Sequence, residues 1–284
     1  MKLEKEIERL IDISIEEDIR TGDLTSQQLI PAEATISANI VLKQAGVLAG
    51  LPFLQVLFKK LDPAIQTTLL VDEGSYHPAG TIIGKISGPA RGILAGERIA
   101  LNMIQHASGV ATVTSAFVKK IKGLNCAILD TRKTLPGLRI LEKYAVRVGG
   151  GVNHRFSLDD RFIIKSNHIY FFSGKSPAPI KEAVRKVRAS NPNIPIEVEI
   201  SDFSLLKEAL ETETEAVMLS RMQPREVKKC VEHIRKTNKK VYVESLGTIT
   251  LETVRAYAET GVDGISIGSL THSVPALDIV MRLK

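Results

Sequence analysis

From Cys126 onward the chain repeats one pattern, a short apolar run followed by a stretch with helical spacing. The apolar runs are CAILDT, RFIIKS, IPIEVEI, EAVMLS, KKVYVES and DGISIGS, and the helical ones include SPAPIKEAVRKVRAS, DFSLLKEALE, QPREVKKCVEHIRKT and TLETVRAYAETG. Strand and helix in alternation predict βαβ units around a parallel sheet. The runs are almost continuously apolar and each closes on a polar or charged residue, which predicts a sheet covered inside and out, as in an α/β barrel. Such barrels place their ligands at the carboxyl ends of the strands. The pattern therefore puts Arg132, Lys165, Glu199, Ser220, Glu244 and Gly268 around one pocket.

The first hundred residues have another rhythm. An acidic amphipathic helix, MKLEKEIERLIDISIEEDI, opens the chain, and ISANIVLKQAGVLAG, TTLLVDEGSY and GTIIGKISG read as strands between turns, interrupted by a helix at LPFLQVLFKKL. A long helix is predicted from about Ala95 to Lys122. The expectation is an α/β protein with an N-terminal open α/β sandwich over residues 1–105 and an incomplete α/β barrel over 106–271. The tail 272–284 is a candidate to pack on the first domain. A length of 284 residues suits one barrel-sized domain plus a smaller one.

Charge is concentrated. Residues 132–165 hold eight Lys or Arg, one His and three acids, a formal +5 in a chain whose total is +6. The stretch reads as strand-like and glycine-rich, ILDTRKTLPGLR, then VGGGVNHR, then RFIIKSNH, so arginines there can be held rigidly to present their planar forks to carboxylate or phosphate. A solvated structural basic face is the alternative. The glycines and the Pro136–Gly137 turn favour a small anionic substrate.

Nucleic acid is not the expected partner, with 5% aromatic residues, no Trp and no charge organised into a basic helix. No run approaches the roughly 18 apolar residues of a membrane span, and the N-terminus lacks the form of a signal peptide. A cytoplasmic location is expected. Cys126 and Cys230 lie far apart, outside any Cys/His cluster, and read as structural thiols.

Several long motifs in order, EDIRTGDLTS, GERIALNMIQHASGVAT, DTRKTLPGLR, KYAVRVGGGVNHR, EVEI and GVDGISIGSLTHS, make the chain resemble the quinolinate phosphoribosyltransferases over almost its full length. The resemblance implies transfer of a phosphoribosyl group from phosphoribosyl pyrophosphate to quinolinate with decarboxylation. It also implies Mg²⁺ on the donor diphosphate and a homodimer, with further association left open. By the same resemblance Arg132, Lys133, His154, Arg155 and Lys165 form the cationic acceptor pocket, and Arg98 is supplied by the neighbouring subunit. Catalytic assignments fall on Lys133, Lys165 and Glu199, the last also a weak metal ligand. Ser220, Leu246, Gly247, Gly268 and His272 fall where the donor and its 5′-phosphate are bound; Glu244 is a weaker candidate, a strand-end acid suited to pairing with a lysine.

The resemblance breaks on the donor side. Leu219-Ser220-Arg221 stands where the family usually has Leu-Asp-Asn, and Leu246-Gly247-Thr248 where it has Ser-Gly-Gly. Lys165-Ser166-Asn167-His168 replaces Lys-Asp-Asn-His. Two alternatives to the ordinary activity follow: a variant phosphoribosyltransferase with another donor or acceptor, like the molybdenum-associated ModD-like members, or a non-catalytic protein that binds aromatic dicarboxylates.

Overall fold

The computed structural model of the chain describes residues 2–172, 174, 176–237 and 240–284. Met1 of the expected first helix and Lys239 of the KKVYVES run lie outside the described residues. Where sequence predicts a break near residue 105 and a tail from 272 that returns to the first domain, the chain divides into two interleaved units, the tail in the first with residues 133–151 besides. One comprises Met1–Ser115, Lys133–Gly151 and Ser269–Lys284, the other Ala116–Arg132 and Val152–Gly268.

The first unit opens with helices α1 (Lys2–Asp18) and α2 (Leu24–Leu29). Then come β1 (Thr35–Leu42), β2 (Gly46–Val47), α3 (Leu51–Leu61), β3 (Gln66–Leu69), β4 (Tyr76–His77), β5 (Ile82–Pro89) and α4 (Ala90–Lys120), whose last residues are counted with the second unit. The long helix thus starts earlier than its apolar spacing indicated. A four-stranded antiparallel sheet is assembled in the order β12-β1-β5-β3, its edge strand β12 (Ile279–Leu283) coming from the far end of the chain. Period-two alternation places Ala38, Ile40 and Leu42 on one face of β1, each fully buried.

Residues 139–148, read from sequence as part of a strand-like stretch, form a helix instead, α5 (Arg139–Val148). The core takes Leu141 and Ala145, spaced as one helical stripe, and buried Glu142 accepts from the Leu135 amide at 3.1 Å and lies 2.9 Å from His106 Nε2. The glycines that follow serve packing. A Cβ on Gly149 would sit 2.5 Å from the Ala111 carbonyl oxygen, and one on Gly151 would sit 2.7 Å from a Val146 methyl and 2.9 Å from one of Thr114, so only glycine lets this turn approach α4 so closely. Three of the eight cations in the basic stretch, Arg139, Lys143 and Arg147, ride on α5 in this unit.

The second unit holds six parallel strands, β6 (Ala127–Leu129), β7 (Phe162–Ile164), β8 (Ile196–Ile200), β9 (Ala216–Ser220), β10 (Tyr242–Leu246) and β11 (Gly264–Ser266). Helices α6 (Ser166–Tyr170), α7 (Pro179–Ser190), α8 (Phe203–Leu210), α9 (Pro224–Lys236) and α10 (Val254–Ala258) alternate with them, and α11 (Ser269–His272) follows β11 within the first unit. Strand order is β6-β11-β10-β9-β8-β7, which is chain order with the first strand moved beside the last. Val152 adds a parallel bridge to Leu129 on the free edge of β6. In a flat sheet, with strands about 4.8 Å apart, a residue beyond β6 would stand about 24 Å from β8. Yet the His154 ring lies 3.2 Å from Glu197 on β8 and 3.0 Å from Glu244 on β10. The sheet therefore curls into a barrel, left open between Val152 and β7. The strands are short and apolar on both faces: β9 is buried at all five positions and β8 at four of five.

Candidate functional site

Six of the assigned residues follow from strand endings. Lys165 comes directly after β7, Glu199 is the penultimate residue of β8, Ser220 and Leu246 close β9 and β10, Gly247 comes next, and Gly268 lies two residues beyond β11. Ser220 pairs in register with Leu246, and Leu246 with Ser266. Lys165 is half-buried at the start of α6, its amide 3.0 Å from His168 Nδ1.

Ser220-Arg221 and Leu246-Gly247-Thr248, the two segments that depart from the family pattern, are neighbours in space. The Arg221 amide donates to the Leu246 carbonyl at 2.9 Å, and a Cβ on Gly247 would lie 3.9 Å from Arg221 Cα. Arg221 adopts φ 59°, the left-handed region that costs an L residue about 1–2 kcal/mol. It is exposed and lines a cavity of about 680 Å³ between α8 and α9, with Asp202, Phe203, Lys229 and His233.

Arginines gather around the open seam. Arg155 is 9% exposed, and its Nη1 donates to the Arg161 carbonyl at 3.1 Å. Burial, and then the positive charge of Arg132, hold its pKa below the ordinary guanidinium range, with Arg161 adding to the effect. Packing like charges this way is unfavourable unless an anion joins them. The backbone here is fixed by Asp130, fully buried at the end of β6, which accepts from Asn153 Nδ2 at 2.6 Å and from the His154 amide at 2.8 Å.

His154 is placed otherwise than as a ligand side chain at the rim. Its Nε2 faces Glu244 and Glu197, both 1% exposed, while Nδ1 accepts from the Arg155 amide at 2.7 Å. Both ring nitrogens are thus engaged within the barrel. Burial opposes a charge on the ring, while the two carboxylates pull its pKa upward. The Arg155 amide decides against the imidazolium, because Nδ1–H would meet another N–H head-on; the ring is the neutral tautomer protonated on Nε2. Burial likewise pushes the Glu244 carboxyl up. Glu244 sits at the third of five positions in β10 and pairs with a histidine, not a lysine. Glu197 was not among the assigned residues, although the alternation in IEVEI puts it on the inward face with Glu199.

The remaining assigned residues belong to the first unit. Arg98 is exposed on α4, Lys133 is exposed with its carbonyl accepting from Thr271 Oγ1 at 2.7 Å, and His272 is exposed beside Ser273. Cys126 and Cys230 are free thiols whose pKa values burial raises, Cys126 to about 12, in keeping with structural roles. No helix among the described residues is long and apolar enough to cross a membrane.

Comparison with known proteins gives this geometry a family. Residues 23–108 match the N-terminal domain model of quinolinate phosphoribosyl transferase and residues 110–282 its C-terminal domain model. The chain is 42% identical to a probable nicotinate-nucleotide pyrophosphorylase [carboxylating] of Bacillus subtilis, over 97% of this chain and 93% of that one. It is 38% identical to the Mycobacterium leprae nicotinate-nucleotide pyrophosphorylase [carboxylating], over 95% and 94%. The solved nicotinate-nucleotide pyrophosphorylase of Francisella tularensis superposes with a TM-score of 0.89 at 36% identity, covering 99% of this chain and 96% of that chain. That of Ehrlichia chaffeensis gives 0.90 at 32%, covering 97% and 98%. With both domain models matched in order and the fold shared along nearly the whole length, the chain belongs to the quinolinate phosphoribosyl transferase family.

Proposed function

We propose that this chain is a carboxylating nicotinate-nucleotide pyrophosphorylase of NAD biosynthesis, transferring the phosphoribosyl group of phosphoribosyl pyrophosphate to quinolinate. The lone pair of the pyridine nitrogen forms the bond to the ribosyl anomeric carbon as the bond to pyrophosphate breaks. The ring carbon bearing the 2-carboxylate then loses CO₂, and the electron pair left behind takes a proton, giving nicotinate mononucleotide.

The observation that carries this reading is the Arg155 guanidinium, 9% exposed and under the positive charge of half-buried Arg132. Two guanidiniums so placed fit an acceptor with two adjacent carboxylates, which they would bind and orient in the ring plane. Lys165, half-buried directly after β7, adds positive charge for the same anion, and Lys133 keeps its assignment as the residue next to Arg132 in the chain. Glu199 stabilises the oxocarbenium-like ribosyl centre, as carboxylates do in glycoside hydrolysis. Gly247 and Gly268, at the ends of β10 and β11, would let the 5′-phosphate approach the backbone, with Ser220 and Leu246 on the neighbouring strand ends and His272 assigned to the same donor. Half-buried Glu199 near the end of β8, with the Ser220 hydroxyl at the end of the neighbouring β9, fits a Mg²⁺ held mainly by the donor's diphosphate. That ion would neutralise the leaving group. The protein acts in the cytoplasm as a homodimer, with Arg98 of each protomer completing the other's site.

Incubation with quinolinate carrying a labelled 2-carboxylate, phosphoribosyl pyrophosphate and Mg²⁺ tests the proposal. Labelled CO₂ and nicotinate mononucleotide in equal amounts are expected; folded protein that makes neither refutes it. A second reading, transfer from a different donor, draws on Ser220 and Arg221 standing beside Leu246 and Gly247. Binding of quinolinate without turnover of phosphoribosyl pyrophosphate would favour it.

A further inference from the structure

Inside the barrel, beneath the strand ends, a histidine and two glutamates have no part in the chemistry proposed above. The donor atoms of His154, Glu197 and Glu244 lie within 4.8 Å of one another, a spacing that could also hold a metal ion. They line a cavity of about 390 Å³ that includes Pro195, Glu215 and Tyr242, residues at the amino ends of β8, β9 and β10. Glu197 and Glu244 are each 1% exposed, and His154 Nε2, both oxygens of Glu197 and Oε1 of Glu244 have no other hydrogen-bond partner among the described residues, so the approaches of 3.2 and 3.0 Å are what these buried groups offer one another.

A cation bound here would need the lone pair of His154 Nε2, which places the ring proton on Nδ1. The Arg155 amide, 2.7 Å from Nδ1, forbids that proton. Metal-bound histidines normally donate their other N–H to an acceptor; this one accepts. Charge is met without a metal. Nε2 faces the two carboxylates that flank it at 3.2 and 3.0 Å, Arg161 Nη1 lies 4.0 Å from Glu197, and burial favours the neutral form of Glu244.

We propose that Glu197 and Glu244 are positioning residues that clamp the His154 ring by its Nε2–H, so that Nδ1 fixes the Arg155 amide and thereby the Arg155 guanidinium. His154 then acts on the acceptor through the main chain of its neighbour. The clamp ties β8 and β10 to the seam residues 152–155, where no strand pairing reaches β7. The link from Arg155 to quinolinate rests on the proposed function; the clamp itself does not.

The test has two arms. In protein labelled with ¹⁵N-histidine, His154, assigned by its loss in His154→Gln, should show at pH 7.5 the neutral Nε2–H tautomer. An imidazolium signal, a neutral Nδ1–H signal, or a stoichiometric metal in the purified protein would overturn the clamp whether or not the chain turns over quinolinate. In the second arm Glu244→Leu and Glu197→Leu should each raise the KM for quinolinate by roughly tenfold or more, with the KM for phosphoribosyl pyrophosphate unchanged, as expected of a misplaced binding group. Glu244→Gln, which keeps an acceptor for Nε2–H, should recover most of the loss. Equal effects on both KM values, or no rescue by Gln in a variant that melts like the parent, would mean that these glutamates support the fold in general rather than Arg155. Wild-type protein that neither binds nor converts quinolinate would sink the proposed function and leave the tautomer to judge the clamp.

Discussion

Glu197 and Glu199 stand two residues apart on one face of β8, and their fates differ. The first is 1% exposed with His154 Nε2 at 3.2 Å; the second is half-buried at the carboxyl end of the strand. One rise of about 7 Å along the strand separates a carboxylate committed to internal contacts from one that is half-buried at the strand end. The same division runs around the barrel. Glu244 lies in the interior, while Lys165, Ser220, Gly247 and Gly268 sit at the rim. Depth along the strand, more than residue type, sorts the charges buried inside the barrel from those at its rim in this unit.

Removing Arg155 should give the largest effect at the seam. Arg155→Ala is expected to weaken quinolinate binding by about 2–5 kcal/mol, as for truncation of a buried charge pair, and Arg132→Ala to do the same. Titration calorimetry checks both, and a loss below tenfold would detach these arginines from the acceptor. At the rim, Glu199→Gln should lower kcat about a hundredfold while leaving the melting temperature nearly unchanged. A fall in stability with intact kcat would erase the contrast between Glu197 and Glu199.

The altered donor side sharpens the comparison within the rim. If transfer is slowed by loss of an acid, Ser220→Asp with Arg221→Asn should raise turnover by roughly tenfold to a hundredfold. Lower activity with a higher KM for phosphoribosyl pyrophosphate would instead make Arg221 a phosphate ligand. Arg221 is exposed and lines the cavity between α8 and α9, which favours the first outcome.

A smaller effect is expected just outside the barrel strands. Asp202 caps α8, accepting from the Ser204 and Leu205 amides at 2.9 and 3.0 Å, and its hydrogen bond with the Ser204 hydroxyl, then those amides, hold its pKa below 3.8. Asp202→Ala should cost about 1 kcal/mol. Because the folded pKa is the lower one, that contribution is complete above about pH 4 and lost as the pH falls through the folded value. Denaturation midpoints of the two proteins that converge in acid and separate at neutral pH would bear this out.

The barrel was legible because each strand is a short apolar run closed by a polar residue, a pattern that needs no knowledge of partners. Strand ends such as Lys165 and Gly268 followed from the same rule. The return of the tail to the first domain was expected and β12 does pair with β1, but the excursion of residues 133–151 into that unit was not legible, since DTRKTLPGLR and the glycines after it read as part of the barrel. Helix α5 was obscured by its charges, although Leu141 and Ala145 carry its buried stripe. The glycines of VGGGVNHR pointed to an anion and serve close helix packing instead. Glu197 could have been found from period-two alternation in IEVEI, but its partner His154 lies 43 residues earlier in the chain, and only the curl of the sheet brings them together. The left-handed backbone of Arg221 leaves no mark on the sequence.

The central claim is that the seam arginines read an acceptor with two adjacent carboxylates, and calorimetry with quinolinate and nicotinate against the same protein tests it most directly. Quinolinate should bind more tightly by roughly ten- to a hundredfold, the worth of one additional charge-assisted hydrogen-bonded contact, and Arg155→Ala should narrow that difference. Equal affinity for the two acids in the folded wild-type protein would contradict the account.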